Sequence, residues 1–538
     1  MEEEGTTSPS LARSTAVMTA GTVLSRVTGV VRLTAMAATL GIAESRLPDT
    51  YNLANTVPNI IYELVLGGVV TSIFVPLFVE LLEKEKRERA WEVISAILTI
   101  SLIGLSVIAV IGIIAAPAIA GFYAGRLEGG DQALQRDAIT FLLRLFLPQV
   151  VLYGIYFVGA GIMNAHKRFG PPMWTPIVNN LVLIAVLVYF HQAYGAVTLQ
   201  TITQNQLLVI GLGTTASVAP MGLLLFPYLK RLGRLRLTTK LRHPAVKKLA
   251  RLAVFVIGFV IANQAGYIVI QWLANRQQGG YSAYIAAFTF YIMPMGLFVL
   301  SITTALVPSL SQHATNERWD DFREQLSVGI RSTIFLMVPA AVGYLLLGEL
   351  IVIVLLEHGL ATATSTALVT DILGLFVLGL VQFAIFQLLV RSFYAMQDTK
   401  TPFWVNCVVV VVNIALAVPL FAAFEVRGIA GAQAVANTVG VVVLGVAMWR
   451  RLGGIDGVRI AGSIVRITVA TSAMAAVVTG GLYATSSFSL EESFLVQVAV
   501  LTTLVVFGAA AYLLAARAVN VPELAFVRSI VTRRRKET

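Results

Sequence analysis

The chain has 538 residues, of which 57% are hydrophobic and 12% are charged. Charged residues are about half as common as in soluble domains, and a soluble protein of this length could not bury so much apolar surface. Composition therefore excludes a soluble domain and predicts an all-α polytopic membrane protein. The net charge of +11 lies mostly in alternate loops, which indicates membrane topology and not nucleic-acid binding.

Apolar stretches long enough to cross a bilayer recur along the chain and predict about fourteen transmembrane helices. The acidic, polar residues 1–16 lack the basic start of a signal peptide, so we expect a cytoplasmic N-terminal tail and a first span that is retained. The predicted spans are 17–43, 54–82, 92–123, 138–165, 171–192, 206–229, 247–275, 281–311, 327–356, 367–396, 402–424, 428–449, 461–484 and 492–516.

Basic residues in the loops predict the orientation. With the N-terminus in the cytoplasm, 29 lysines and arginines lie on the cytoplasmic side and five lie opposite. This bias places both termini in the cytoplasm. It also marks a basic cytoplasmic linker at 232–246 and a basic cytoplasmic tail at 517–538, which includes the cluster 533–536.

An internal repeat divides the chain. Residues 71–78 (TSIFVPLF) resemble residues 303–310 (TTALVPSL), and Ala165, Pro172 and Trp174 reappear about 230 residues later as Ala395, Pro402 and Trp404. The offset predicts two six-helix lobes in parallel orientation, with a transporter site between them. The N-lobe is 17–231, the C-lobe is 247–451, and two further helices occupy 461–516.

Two arginines in the first span are the main candidate site residues. Charge at membrane depth costs about 2.5–3.5 kcal/mol on insertion scales, so such residues usually face a bundle interior or a water-filled cavity. Arg26 and Arg32 point about 120° apart on an ideal helix, and their planar forks suit phosphate oxygens. Ser25 adds a neutral donor, and Glu63 in the second span is a candidate partner for either arginine. Snorkelling of Arg26 to the interface is the simpler alternative.

Other polar residues within spans carry weaker signals. Asn263, together with Asn406 or Asn413, is a candidate cation site, although helix-to-helix hydrogen bonding is the ordinary role of such amides. The five histidines and Cys407 show no metal-ligand spacing. No nucleotide-binding loop or hydrolase motif is present, so we expect a transporter that needs no cofactor, and not an enzyme.

Several short motifs stand in order and at characteristic spacing along the chain. Their residues are Ser25, Arg26, Gly29, Arg32, Pro58, Asn59, Gly67, Gly68, Pro76, Asn164, Arg168, Phe169, Pro176, Asn180, Pro308, Ser309, Arg391, Tyr394, Asp398, Thr401 and Pro402. Together these motifs resemble the MurJ/MviN family of lipid II flippases in the multidrug/oligosaccharidyl-lipid/polysaccharide exporter superfamily. The variant of residues 58–68 is similar to the actinobacterial branch.

The resemblance implies a cationic central cavity and a groove at 461–516 for a polyprenyl tail. It implies transport of undecaprenyl-pyrophosphate-linked peptidoglycan precursor from the inner to the outer leaflet of the bacterial cytoplasmic membrane. Substrate-binding roles carry onto Arg26, Arg32, Asn59 and the extracellular-side Asp49. Tyr62, Glu63 and Thr289 stand where many relatives have basic residues, which leaves the pyrophosphate contacts open.

Three alternatives remain at this point. The first is an exporter of another lipid-linked glycan, and the second is a cation-coupled multidrug exporter. The third is a membrane scaffold, which leaves Arg26 and Arg32 unexplained. The driving force, whether H⁺, Na⁺ or membrane potential, is not readable from the residues. Relatives suggest a working monomer, surrounded by membrane lipids and in contact with cell-wall synthesis proteins.

Overall fold

The structure, a computed structural model, describes residues 9–64, 78, 87–125, 131–166, 168–233, 238, 263–485 and 493–525. Within these residues the regular structure is helical. A five-residue π-helix, Met295–Val299, joins two of the helices. In chain order the helices are α1 (Pro9–Leu40), α2 (Leu47–Leu64), α3 (Arg87–Ala124), α4 (Asp131–Phe146), α5 (Gln149–Ala165), α6 (Gly170–Tyr194), α7 (Gln204–Leu223), α8 (Phe226–Leu232), α9 (263–274), α10 (Gly280–Pro294), α11 (Leu300–Thr315), α12 (Trp319–Leu356), α13 (Ala363–Val377), α14 (Leu380–Ala395), α15 (Lys400–Leu452), α16 (Gly457–Thr485) and α17 (Phe494–Ala518).

The helices have the length and composition of membrane spans. In the described residues ten helical segments qualify, and the pair α13–α14, bent by 49°, makes an eleventh. The 53 residues of α15 would extend about 80 Å, against a hydrocarbon core of about 30 Å. A non-helical residue, Glu425 (φ 55°, ψ −142°), divides α15 into two spans. Each of the fourteen predicted spans overlaps a helix, which confirms the predicted fold class.

Proline residues account for the main breaks. Pro148 lies between α4 and α5, and Pro294 ends α10 just before the π-helix. Proline cannot donate the next helical hydrogen bond and its ring crowds the preceding turn, so the helix bends or changes its hydrogen-bond period there.

The chain forms two compact units, residues 1–282 with 358–361, and residues 283–357 with 362–538. The first has a core around Trp91, Tyr156 and Phe157, and the second around Phe322 and Leu388. The first unit runs past the predicted lobe boundary of 231–247, because polar side chains and a backbone N–H of 271–282 bond to α2, α3 and α4.

The second repeat match has a structural counterpart. Ala165 ends α5 and Pro172 opens α6, as Ala395 ends α14 and Pro402 opens α15. Several sequence expectations lie outside the described residues: the first repeat match at 71–77, the motif residues Gly67, Gly68 and Pro76, most of the basic linker 232–246, and the basic cluster at 533–536.

Candidate functional site

One face of α1 carries the two predicted arginines. Val23, Val27 and Val31 form an exposed apolar stripe on this helix. On an ideal helix Arg26 lies about 100° and Arg32 about 140° from the centre of that stripe. Both arginines are half-buried. They therefore point away from the lipid-like stripe, as expected for cations that face protein or a polar cavity.

On the side away from the exposed apolar stripe, α1 packs against α6. The Asn180 amide donates to Thr28 Oγ1 at 3.0 Å and to the Ser25 carbonyl at 3.3 Å. Gly29 lies between the arginines, and a Cβ there would meet the Asn180 amide at 3.9 Å. These bonds fix the orientation of α1 about its own axis. The directions in which Arg26 and Arg32 point are therefore fixed as well.

Aromatic residues of α2 and α5 lie near Arg32. They are Tyr51, Tyr62 and Tyr153. The rings of Tyr62 and Tyr153 are 4.6 Å apart, and Tyr153 donates to Asn59 Oδ1 at 3.4 Å. The structure thus brings the predicted Arg32 and Asn59 into one neighbourhood, lined by hydroxyl groups.

The proposed pairing of Glu63 with the arginines is not present. Glu63 is exposed at the end of the described part of α2, and the described residues contain no salt bridge from it to Arg26 or Arg32. Arg26 Nε is buried and has no hydrogen-bond partner among the described residues. A buried cationic donor without an acceptor is costly, and an anionic group would satisfy it.

Asp49 lies in the first turn of α2, ahead of the predicted apolar span, and none of its surface is exposed. Gly279 N–H donates to Oδ2 at 2.7 Å, and the Ser282 N–H and hydroxyl donate to Oδ1 at 2.8 Å. Asp49 therefore caps the N-terminus of α10. Contact with a substrate, as predicted from the resemblance, would require this cap to open.

The backbone of the cap requires glycine at position 279. Gly279 has φ +70°, and a Cβ there would lie 2.3 Å from Ala43 Cα. Burial raises the pKa of Asp49 from 3.8 to about 7, although hydrogen bonds from Ser282 and Gly279 and the charge of Arg46 oppose the rise. Asp49 therefore titrates near neutral pH.

The predicted cation-site residues belong to two different compact units. Asn263 lies in the first unit, and Asn406 and Asn413 lie in the second. Asn413 Nδ2 donates to Gln433 at 2.8 Å, while its Oδ1 is buried without a partner among the described residues. No cluster of three or more His, Cys, Asp or Glu suited to a metal occurs in the described part of the chain. The cation site stays a prediction.

Thr289, which stands where many relatives carry an arginine, is half-buried in α10. Its hydroxyl donates to the Ile285 carbonyl at 2.8 Å, one turn back along the helix. The hydroxyl proton is thus used within the helix, and the structure leaves the predicted substrate-binding role of Thr289 a prediction.

An apolar groove of about 750 Å³ lies within the second unit. It is formed by α10 and the π-helix, α12, α16, α17 and Leu524. Its two hydroxyls are occupied: Tyr344 donates to the Phe290 carbonyl at 2.9 Å and Tyr512 to the Phe335 carbonyl at 2.6 Å. The surface left is hydrocarbon, which suits an alkyl or isoprenoid chain. The groove includes the helices 461–516 that the resemblance assigns to the polyprenyl tail.

Sequence reasoning missed several of these residues. Tyr153 and Tyr51 gave no signal, because tyrosines in apolar helices are common. The capping partners Gly279 and Ser282 lie about 230 residues from Asp49. The pairing of Arg331 with Glu523, described below, joins residues 192 apart.

Comparisons with known proteins agree with the resemblance. A family model described as Lipid II flippase MurJ matches residues 36–500. A probable lipid II flippase MurJ of Rhizobium meliloti (strain 1021) is 29% identical over 484 residues, 87% of this chain and 86% of that protein. The lipid II flippase MurJ of Burkholderia cenocepacia is 27% identical over 390 residues, 71% of this chain and 72% of that protein.

Solved structures show the same fold. A lipid II flippase MurJ in an inward closed conformation has a TM-score of 0.74 at 22% identity, covering 96% of this chain and 100% of that chain. An inward-facing multidrug resistance MATE family transporter of the MOP superfamily has a TM-score of 0.65 at 13% identity, covering 79% and 94%. The family model covers most of the chain, and the folds agree. The chain therefore belongs to the MurJ lipid II flippase family of multi-pass membrane transporters.

Proposed function

We propose that this protein moves undecaprenyl-pyrophosphate-linked peptidoglycan precursor, lipid II, from the inner to the outer leaflet by alternating access. The observation that carries the proposal is the family match over residues 36–500. The half-buried arginines on the polar face of α1 support it, because a transporter of a pyrophosphate needs cationic donors at membrane depth.

Arg26 and Arg32 take the pyrophosphate, with the Asn59 amide N–H₂, whose Oδ1 accepts from Tyr153, as a neutral donor. Arginine forks bind phosphate oxygens in pairs, and the buried Arg26 Nε gains an acceptor. The isoprenoid tail lies in the apolar groove of the second unit. A ligand shifts a conformational equilibrium only by its differential affinity for the two states. The arginines must therefore hold the pyrophosphate better in one state than in the other.

The Asp49 cap acts as a latch between α2 and the segment 279–282 of the same unit. Opening it removes three hydrogen bonds from one carboxylate, so the closed arrangement persists until binding energy offsets that loss. A carboxyl group with a pKa of about 7 is also the place where H⁺ would act, if H⁺ contributes to the driving force. Na⁺ and membrane potential are the other candidates.

We propose that the protein lies in the bacterial cytoplasmic membrane and works as a monomer among membrane lipids. The charge bias supports the placement of both termini in the cytoplasm. We propose that the basic cluster at 533–536 contacts anionic headgroups or cell-wall synthesis proteins. Cysteine labelling at residues 10 and 490, on a chain with Cys407 replaced, tests the orientation: residue 10 should be protected and residue 490 reactive in intact cells.

Complementation of a conditional lipid II flippase mutant tests the function. Wild type should restore growth, and Arg32→Ala should not, at equal membrane abundance. Arg144→Ala is the matched control, since Arg144 is exposed in the last turn of α4 and should be dispensable. Failure of a well-expressed wild type to rescue would refute lipid II transport. Rescue by Arg32→Ala would refute the role of the arginines.

A second candidate function is export of another lipid-linked glycan. Tyr62, Glu63 and Thr289 replace basic residues found in many relatives, which favours a less highly charged headgroup. Competition between lipid II and a monophosphate-linked lipid glycan for the purified protein separates the two. Stronger binding of the monophosphate lipid would select the second candidate.

A further inference from the structure

A short segment after the last helix contributes to the lining of the apolar groove. Residues 519–525, here named the C-terminal strap, turn back at Asn520, which has φ +51°. Val521 N–H then bonds to the Ala516 carbonyl at 2.9 Å. Val521 and Glu523 are 5% and 2% exposed, so the strap packs into the protein, and Leu524 lines the groove.

A buried ion pair holds the strap. Arg331 Nη1 and Glu523 Oε1 are 2.7 Å apart, with the side chains 12% and 2% exposed. Ser463 donates to the same carboxylate oxygen at 2.9 Å, and Arg466 donates to the Asn520 carbonyl at 3.0 Å. The strap is therefore tied to α12 through Arg331 and to α16 through Ser463 and Arg466.

The ion pair lies just beyond the apolar lining. Along α12 the groove runs from Phe335 to Ile351, about 24 Å, and Arg331 is one helical turn before Phe335. On the strap, Glu523 immediately precedes the lining residue Leu524. The apolar lining therefore ends next to the charged pair. A tail that extended past Leu524 would displace the Glu523 carboxylate from its partners, which is costly.

We propose that the C-terminal strap is the end wall of the tail groove, and that the Arg331–Glu523 pair positions it so that the length of the lipid tail is recognised. This inference rests on the proposed function, because it takes a prenyl chain as the occupant. Arg331 and Glu523 are positioning residues: they act through Leu524 and do not touch the pyrophosphate. A short tail fills part of the groove and is indifferent to the wall, whereas a long tail fills the groove and meets it.

The alternative is that the pair merely stabilises the fold. A structural role would lower stability and weaken every ligand equally. If the strap is an end wall, the affinity gained by lengthening the tail depends on the strap. The affinity contributed by the headgroup does not.

The test is binding of farnesyl pyrophosphate and undecaprenyl pyrophosphate to the purified full-length protein in nanodiscs. The variants are Glu523→Gln, Leu524→Ala, and a chain ending at residue 525, which keeps the strap and lacks the basic tail. Asp371→Asn is the matched control, because it removes an exposed ion pair with Arg427. Thermal unfolding of each variant reports folding, and Leu524→Ala keeps the test open if Glu523→Gln does not fold.

We expect Glu523→Gln and Leu524→Ala to bind undecaprenyl pyrophosphate roughly tenfold more weakly, with farnesyl pyrophosphate unchanged. The chain ending at 525 and Asp371→Asn should behave as wild type. Equal losses for both ligands, or none, would overturn the inference. If wild type does not prefer the long tail at all, the proposed function itself fails, which distinguishes the two.

Discussion

Replacement of Asp49 by asparagine removes the buried charge of the α10 cap while keeping a side chain of the same shape. Burial moves the pKa of Asp49 from 3.8 to about 7. A difference of about three pKa units, at 1.36 kcal/mol each, corresponds to about 4 kcal/mol. Asparagine presents an amide N–H₂ to one of the donors that Asp49 accepts, which costs about 1–3 kcal/mol. The capped state of Asp49→Asn should therefore be about 1–3 kcal/mol more stable than wild type at pH 8.

The sign of the pH dependence follows from the raised pKa. Between about pH 4 and pH 7 the capped state holds a proton that a solvated Asp49 has already lost, so the stability of the cap falls as pH rises and levels off above about 7. Arg46 is the charged group that acts on Asp49, and it moderates this rise in pKa. Asp49→Asn cannot titrate, so the variant should be less stable than wild type in mild acid, where only the amide penalty remains, and more stable than wild type at pH 8.

The assay is thermal unfolding of purified protein from pH 5 to pH 8, with Asp371→Asn as an exposed carboxylate control. The difference between wild type and Asp49→Asn is the measured quantity, since it cancels other titrating groups. We also expect slower transport by Asp49→Asn, because its latch opens less readily. A difference that does not change with pH, or a variant less stable than wild type at pH 8, would refute the reasoning.

Three further predictions concern local geometry. Asp398→Ala removes the acceptor for two backbone N–H groups at the start of α15 and should cost about 1 kcal/mol of unfolding free energy. Burial alone would raise the pKa of Asp398, but its hydrogen bonds and ion pair lower it. The cost of the substitution should therefore be full at neutral pH and vanish in strong acid. Gly343→Leu places a side chain in the open groove and should abolish transport in a vesicle assay, whereas Gly445→Leu, also at an open position, should not. Gly279→Ala meets both a positive φ and the Ala43 backbone and should lower the melting temperature by the equivalent of about 1–3 kcal/mol.

The positions of the helices were predictable from the sequence because apolar length is a local property. All fourteen predicted spans overlap observed helices. The bend between α13 and α14 at Gly379 was not predicted, since no proline marks it. There Gly379 makes a close approach, and a Cβ would lie 2.7 Å from Ala434 Cα.

The candidate site was predictable only in part. Arg26 and Arg32 stood out because charge in an apolar span is rare. The capping role of Asp49 and the pairing of Arg331 depend on contacts about 200 residues apart in sequence. No local pattern encodes such contacts, because they arise only when the helices pack.

The most direct measurement is the movement of fluorescent lipid II across vesicles reconstituted with wild type, Arg26→Ala/Arg32→Ala, or Arg144→Ala. Wild type and Arg144→Ala should expose lipid II from the inner leaflet to an external enzyme or quencher, and the double variant should not differ from empty vesicles. Transport by the double variant at the wild-type rate would contradict the account, because the α1 arginines would then have no part in carrying the pyrophosphate.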